Sequence, residues 1–200
     1  MKTITTSLIT TAEFSDDGKK RYLLKKTWDE QKPSLSIIML VPSEAADIAL
    51  DNTTMLVLNN ASRLGYGSVT VLNLFATVGD FDLKTTENDD KENTATIIQT
   101  AKNVDTLVYA AGVGKATNKK FIVRQTKILE SLRPYEKKLK CLSSKDGSSR
   151  FQHPLSPAVR TWYLSDMTIK ELLGDSQPAT NIEAPKKPSK QKKEPHSLTL

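Results

Sequence analysis

The sequence predicts an α/β fold with three layers, α/β/α, whose central layer is a four-stranded, mainly parallel sheet. A β-hairpin precedes this sheet in the chain. Two observations lead to this prediction. Four short apolar segments alternate along the chain with segments whose apolar residues recur at helical spacing. The apolar segments are near-continuous, which is typical of strands buried on both faces. Such strands, joined by helices, form a parallel sheet covered on both sides.

The predicted hairpin and the first core strand lie in the N-terminal part of the chain. Residues 3–14 and 20–28 flank the turn-forming segment at 15–18, which predicts two antiparallel strands. The run SLSIIMLV at 34–41 follows and is closed by Pro42, so we expect the first strand of the central sheet there.

A helix is predicted over about 52–64, with Asp51 as its N-cap and Gly65 as its C-terminal stop. The later elements repeat the same alternation of strand and helix. In chain order they are a strand at 68–75, a helix from Asn88 or Asp89 to about 104, a strand at 105–111, a helix at 118–133 ending near Pro134, a strand at about 138–142 and a short helix near 167–173.

Composition divides the chain into one domain at 1–174 and a tail at 175–200. The tail is rich in Lys and Pro and almost free of apolar residues, which predicts disorder. Its motif PKKPSKQKK is typical of a basic nucleic-acid or localisation patch and equally of a solubilising tail. The formal net charge of +6 suits a polyanionic partner, although a solvated surface explains so small an excess as well.

The sequence also bears on compartment and cofactors. It shows no secretory leader and no run near the roughly 20 apolar residues that span a bilayer. The single cysteine, Cys141, cannot form an intramolecular disulfide, and we predict a cytoplasmic protein. One histidine and one cysteine in the folded part argue against a zinc site, so we predict no metal and no cofactor.

Ligands of open parallel α/β sheets bind beyond the carboxyl ends of the strands, which gives a shortlist of site residues. Three of them are candidate catalytic groups: Asp47, Asp51 and His153. The remaining candidates for binding a base or another ligand follow or end the predicted strands: Pro42, Ser43, Asn73, Phe75, Gly112, Lys115 and Lys145.

Each candidate also has a purely structural interpretation. Asp51 caps a helix, and Phe75 belongs to the core as readily as it stacks on a base. The amide of Asn73 either ties down a neighbouring loop or reads a base edge. His153 is either a general acid or electrophile, or a hydrogen-bonding group within its own loop. The turn from Gly112 to Lys115 lacks the full spacing of a P-loop.

An ordered set of motifs over about residues 20–157 resembles a widespread uncharacterised family of bacteria and phages, catalogued as domain-of-unknown-function family 1643. This resemblance supplies no activity. The motifs are RYLLKKTW at 21–28, MLVPSEAAD at 39–47, DNTT at 51–54, RLGYG at 63–67, VLNLFA at 71–76, KEN at 91–93, the GVGK turn, and CLSSKDG with HPL between 141 and 155.

A more distant resemblance is to the uracil-DNA glycosylase superfamily, which has a four-stranded parallel sheet between helices. The resemblance implies that Val41, Pro42 and Ser43 occupy the first motif, that Asn73 reads a flipped base, and that the loop from His153 to residue 157 grips DNA. The glycosylases place an Asp or Asn where this chain has Val41. Because valine cannot polarise water, Glu44, Asp47 or Asp51 would have to replace it.

These observations leave three hypotheses about function. The first is a glycosylase-like enzyme that acts on a modified base in DNA. The second is a non-catalytic module that binds nucleic acid or nucleotide on the same fold. The third is a protein-interaction factor, for example in phage and host conflict, whose fold no longer handles nucleotides. Whether the protein is an enzyme stays open from the sequence, with DNA or a nucleotide as the expected partner.

Overall fold

A seven-stranded sheet organises the computed structural model, which describes residues 1–43, 49–79, 81–83, 90–112 and 118–174. The predictions for Asp47, Lys115 and the tail fall outside these residues. The elements are β1 (Ile9–Phe14), β2 (Arg21–Thr27), β3 (Ser34–Met39), α1 (Asn52–Arg63), β4 (Ser68–Asn73), α2 (Lys91–Asn103), β5 (Thr106–Tyr109), α3 (Lys119–Ser131), a 3₁₀ helix (Arg133–Lys138), β6 (Leu139–Ser143), a 3₁₀ helix (Pro157–Val159), β7 (Tyr163–Asp166) and α4 (Ile169–Leu173).

The strands lie in the order β1-β2-β4-β3-β5-β6-β7. Strands β4, β3, β5 and β6 run parallel to one another, whereas the pairs β1–β2, β2–β4 and β6–β7 are antiparallel. The predicted α/β class is confirmed. The predicted sheet of four mainly parallel strands was too small. The N-terminal hairpin joins the sheet through β2, and the short strand β7 extends its other edge, so three antiparallel pairs are added.

Side chains from helices pack on both faces of the sheet because successive residues of a strand point in opposite directions. Ile38 and Tyr109 belong to a buried cluster that includes side chains of α2, α3 and α4. Ile37 and Val108, their neighbours in sequence, belong to a second cluster that includes side chains of α1 and Trp162. Each central strand therefore contributes apolar residues to two cores.

Helix beginnings follow from side-chain caps. Asp51 accepts a hydrogen bond from the main-chain N–H of Thr54, which confirms it as the N-cap of α1. The predicted start of α2 at Asn88 or Asp89 was wrong. Asp90 is the cap there, because its carboxylate accepts from the N–H of Asn93, three residues on. None of the helices in the described ranges has the length and apolarity to cross a bilayer.

Candidate functional site

An open cavity of about 600 Å³ lies at the carboxyl ends of β3 and β5. The N-terminal turn of α1 forms one wall, and a loop at 152–156 forms another. The lining combines apolar side chains such as Met39, Val41 and Leu155 with the polar side chains of Ser43 and Asp51. Segments far apart in sequence meet here because the carboxyl ends of parallel strands share one edge of the sheet. We refer to this cavity as the strand-end cleft.

Four residues of the predicted shortlist line the strand-end cleft: Ser43, Asp51, Gly112 and His153. Others are placed differently. Pro42 is buried beside the cleft, Lys145 is exposed on a loop and does not line it, and Asn73 and Phe75 are buried. Asp47 and Lys115 lie outside the described residues.

Asp51 is held as an ionised carboxylate at the cleft wall. Its Oδ1 accepts from the main-chain N–H of Thr54 at 2.8 Å, and its Oδ2 accepts from the Thr54 hydroxyl at 3.0 Å. Burial opposes ionisation, but hydrogen bonds from Ser43 and Thr54 outweigh it and lower the pKa of Asp51.

Arg21 lies beneath this wall and was missed by sequence reasoning. Its side chain is buried, and Nη1 donates to the main-chain oxygen of Ser43 at 3.3 Å. Burial lowers the pKa of Arg21, and the nearby charge of Asp51 opposes that effect. The only available signal was a basic residue at the start of the otherwise apolar strand segment RYLL. Arg21 therefore balances the charge of Asp51 from inside the protein.

His153 presents an uncharged imidazole to the cleft. Its Nδ1 accepts a hydrogen bond from the main-chain N–H of Leu155 at 3.2 Å, which places the proton of the neutral ring on Nε2. Burial lowers the pKa of His153 and so favours this neutral form. The loop is tightened further because Ser156 donates its N–H to the main-chain oxygen of His153 and its hydroxyl to Gln152.

Two residues with positive φ lie close to the His153 loop, Gly112 in space and Phe151 in sequence. Gly112 has a φ of 76°, and a Cβ added there would lie 3.6 Å from Cβ of His153, an ordinary contact distance. Phe151 has a φ of 57°, which is strained for a bulky residue. Its ring packs against the core, with the guanidinium carbon of Arg150 5.1 Å from the ring centroid. Packing thus holds a strained backbone two residues before His153.

Asn73 lies at the end of β4, in register with the cleft residue Met39 of β3. Neighbouring residues in register point to the same face of a sheet, so both side chains lie on the α1 face. The Asn73 side chain is buried, and its amide nitrogen has no hydrogen-bond partner among the described residues. Its main-chain oxygen accepts from the amide of Asn93 at 3.0 Å. Asn93 therefore fixes the end of β4 from α2.

Phe75 is 1% exposed and packs against Phe81, with the ring centroids 5.2 Å apart. The ring belongs to the core cluster that includes α2 and α3 side chains, on the opposite face from α1. It does not line the strand-end cleft. Phe75 is therefore a core residue, which was one of the two roles predicted for it.

Asp51 is the one charged side chain among the described residues that line the cleft, and none of these is a Lys or an Arg. The described ranges also contain no group of three or more His, Cys, Asp or Glu side chains that could hold a metal ion. The lining is otherwise apolar or neutral and polar.

The fold and the cleft define an α/β protein with a ligand-sized opening at its strand ends. The chain belongs to the family described as Protein of unknown function (DUF1643), whose model matches residues 21–155. The resemblance of its ordered motifs to this family is thereby confirmed, and the matched span includes all the described lining residues except Ser156. No curated protein and no solved structure matches the chain.

Proposed function

We propose that this protein binds an uncharged nucleobase, carried by DNA or a nucleotide, in the strand-end cleft. The observation that carries the proposal is the convergence of Ser43, Asp51 and His153 on one mainly apolar cavity. A base is flat and largely apolar on its faces and carries hydrogen-bonding groups at its edge. An apolar cavity with a few polar groups matches that pattern.

The size and charge of the cleft support a base over a phosphate. Its volume of about 600 Å³ lies within the range of about 300–1,000 Å³ that is usual for small-molecule sites. Phosphate sites normally place Arg, Lys or several main-chain N–H groups against the anion. The described lining has no cation, and the ionised Asp51 repels an anion.

The hydrogen-bonding groups support recognition of a base edge. Nε2–H of His153 is a donor that lines the cleft. Asn73 resembles the base-reading asparagine of the uracil-DNA glycosylases, but its side chain is buried and does not line the cleft. We therefore assign the base edge to His153.

The architecture supports a glycosylase-like version of this function. Four of the seven strands run parallel between helices, and the loop containing His153 and Pro154 lies at their carboxyl ends. These are the features expected from a resemblance to the uracil-DNA glycosylase superfamily.

Hydrolysis of the glycosidic bond is a second candidate function, because Asp51 and His153 line the same cleft. The bond between C1′ of the sugar and the base nitrogen would break, with its electron pair leaving on the base. A water oxygen would bond to C1′, and its proton would pass to the departing base. Asp51 would stabilise positive charge on the sugar, and His153 would donate a hydrogen bond to the leaving base.

Binding is tested by fluorescence anisotropy with labelled single-stranded and mismatched DNA, at low and at physiological salt. We expect binding that weakens with salt, because the backbone phosphates interact with a chain of net charge +6. His153→Gln should weaken it, whereas the neutral change Ser62→Ala, at an exposed position on α1, should not. If neither DNA binds, or if His153→Gln binds like the native protein, the proposal is wrong.

Hydrolysis is tested separately by incubating the full chain with DNA that carries uracil, hypoxanthine or alkylated bases. Abasic sites are then revealed by alkaline cleavage. Asp51→Asn and His153→Gln should abolish the signal while the native protein gives it. If no substrate in the panel yields abasic sites although binding is present, only the binding function stands.

A further inference from the structure

A second cavity, of about 220 Å³, lies at the opposite edge of the sheet, between the amino-terminal halves of β3 and β4 and the helix α2. Its lining contains many polar side chains, although sheet and helix normally bury apolar side chains between them. The polar lining residues include Ser34, Ser36, Ser68, Thr70, Gln99 and Asn103. We refer to this cavity as the hydroxyl groove.

Strand register explains why the four hydroxyls lie together. Ser34 pairs with Ser68 and Ser36 pairs with Thr70, so the side chains form a two-by-two grid on one face of the sheet. The residue between the two serines of β3, Leu35, belongs to the core on the α1 face. All four side chains therefore lie on the α2 face, and the Ser34 hydroxyl donates to Oδ2 of Asp105 at 2.7 Å.

Ser36 gives independent evidence that the groove accommodates a ligand. Its side chain is fully buried, it lines the groove, and its Oγ has no hydrogen-bond partner in the part of the chain that the structure describes. An unsatisfied buried hydroxyl destabilises a protein, and alanine or valine would avoid that penalty. Across the groove, α2 contributes the amides of Gln99 and Asn103.

We propose that the hydroxyl groove binds a small, uncharged, polyhydroxylated molecule of about monosaccharide size. Hydroxyls and amides both donate and accept, and so match a ligand with several hydroxyls of its own. Apart from the exposed Lys25, the lining side chains are uncharged, so the groove offers mainly neutral hydrogen-bonding groups. The volume equals that of about seven liquid waters and is below the range usual for drug-sized ligands.

This proposal is independent of base binding, because the groove and the strand-end cleft share no lining residue. The probe is D-ribose, titrated into the ¹⁵N-labelled full chain while amide signals are followed by NMR. We expect saturable shifts confined to residues 34–36, 68–70 and 99–104, with a dissociation constant in the millimolar range. Nucleic acid should not alter this constant.

Two variants decide whether the groove itself binds the sugar. Ser36→Ala and Thr70→Val each remove one hydroxyl with little change in shape, and each should weaken binding by about three- to tenfold. Ser62→Ala, at an exposed position on α1, is the matched control and should bind like the native protein. Absent, non-saturable or scattered shifts, or native-like binding by Thr70→Val, would show that the groove holds water only.

Discussion

The main-chain N–H of Leu155 donates a hydrogen bond to Nδ1 of His153 at a distance of 3.2 Å. A ring nitrogen that accepts a hydrogen bond carries no proton, so the neutral imidazole is protonated on Nε2. Protonation of Nδ1 would break this bond and leave the Leu155 N–H without its acceptor. The charge state of His153 is thus coupled to the conformation of the loop beside the strand-end cleft.

His153 should titrate below the ordinary histidine pKa of about 6.5, because burial disfavours its charged form. The unfolded chain then binds the proton more readily than the folded one. Stability is therefore greatest above the unfolded pKa and falls as the pH drops towards the folded pKa. NMR titration of the ring protons measures the pKa of His153 in the folded chain, and the variant His196→Gln distinguishes the signals of the two histidines. Urea unfolding at several pH values measures the change in stability. A pKa of His153 above 6.5 would contradict the prediction.

The chain order of the central elements was predictable because each depends on a local pattern. The apolar runs, the cap at Asp51 and the strand-end rule together placed Ser43, Asp51, Gly112 and His153 at one edge. Features that depend on pairing between distant segments were not predictable. Neither the joining of the hairpin to the sheet nor the partner of β7 leaves a local signal.

Two further misses have specific physical causes. The segments SLSIIM and SVTVLN were interpreted as continuous apolar runs, although each begins with serine or threonine at alternate positions. This alternation is the sequence signal for the polar grid facing α2. Buried polar residues such as Arg21 and Asn60 could not be found, because their partners are the carbonyls and N–H groups of remote segments.

Replacing Asp51 with alanine should destabilise the protein by at least about 1 kcal/mol, because α1 loses its N-cap and the buried Arg21 loses the nearby carboxylate. Asp51→Asn should cost less, since asparagine keeps the cap and removes only the charge. The pKa of Asp51 is lowered in the folded state, so its contribution is complete above the unfolded pKa of about 3.9 and is lost as the pH falls through the folded value. Urea unfolding at pH 7 and at pH 3 measures both effects. A larger loss for Asp51→Ala at pH 3 than at pH 7 would contradict this account.

Replacing Asn60 with alanine should cost more, about 1–3 kcal/mol, because buried groups lose their partners. Its amide oxygen accepts from the N–H of Trp162 at 2.9 Å, and its amide nitrogen donates to the oxygen of Arg160 at 3.0 Å. These bonds tie α1 to the segment that follows the His153 loop. The midpoint of urea unfolding measures the change.

Asn59→Ala is the matched control for Asn60→Ala, because Asn59 is exposed one position earlier on the same helix. Its replacement should alter stability by no more than a few tenths of a kcal/mol. The Asn60 variant should also shift the NMR signals of His153, and the Asn59 variant should not. Equal unfolding midpoints for the two variants would mean that the Asn60 bonds contribute nothing measurable.

Alanine variants at two glycines should distinguish a loss of stability from a loss of ligand binding. Gly112 and Gly147 have φ angles of 76° and 72°, so an alanine at either position should cost about 1–2 kcal/mol of stability. Steric clash adds little, because an added Cβ would lie 3.6 Å from His153 at Gly112 and would contact nothing within 4 Å at Gly147. Only Gly112 lines the strand-end cleft.

The two alanine variants should therefore unfold at similar urea concentrations but differ in ligand binding. Gly112→Ala places a methyl group beside His153 and shifts the backbone at the cleft wall, so base binding should weaken in that variant alone. Anisotropy measured well below the unfolding transition excludes loss through unfolding. If Gly147→Ala weakened binding as much, the loss would reflect general destabilisation, and the assignment of the ligand to the strand-end cleft would be wrong.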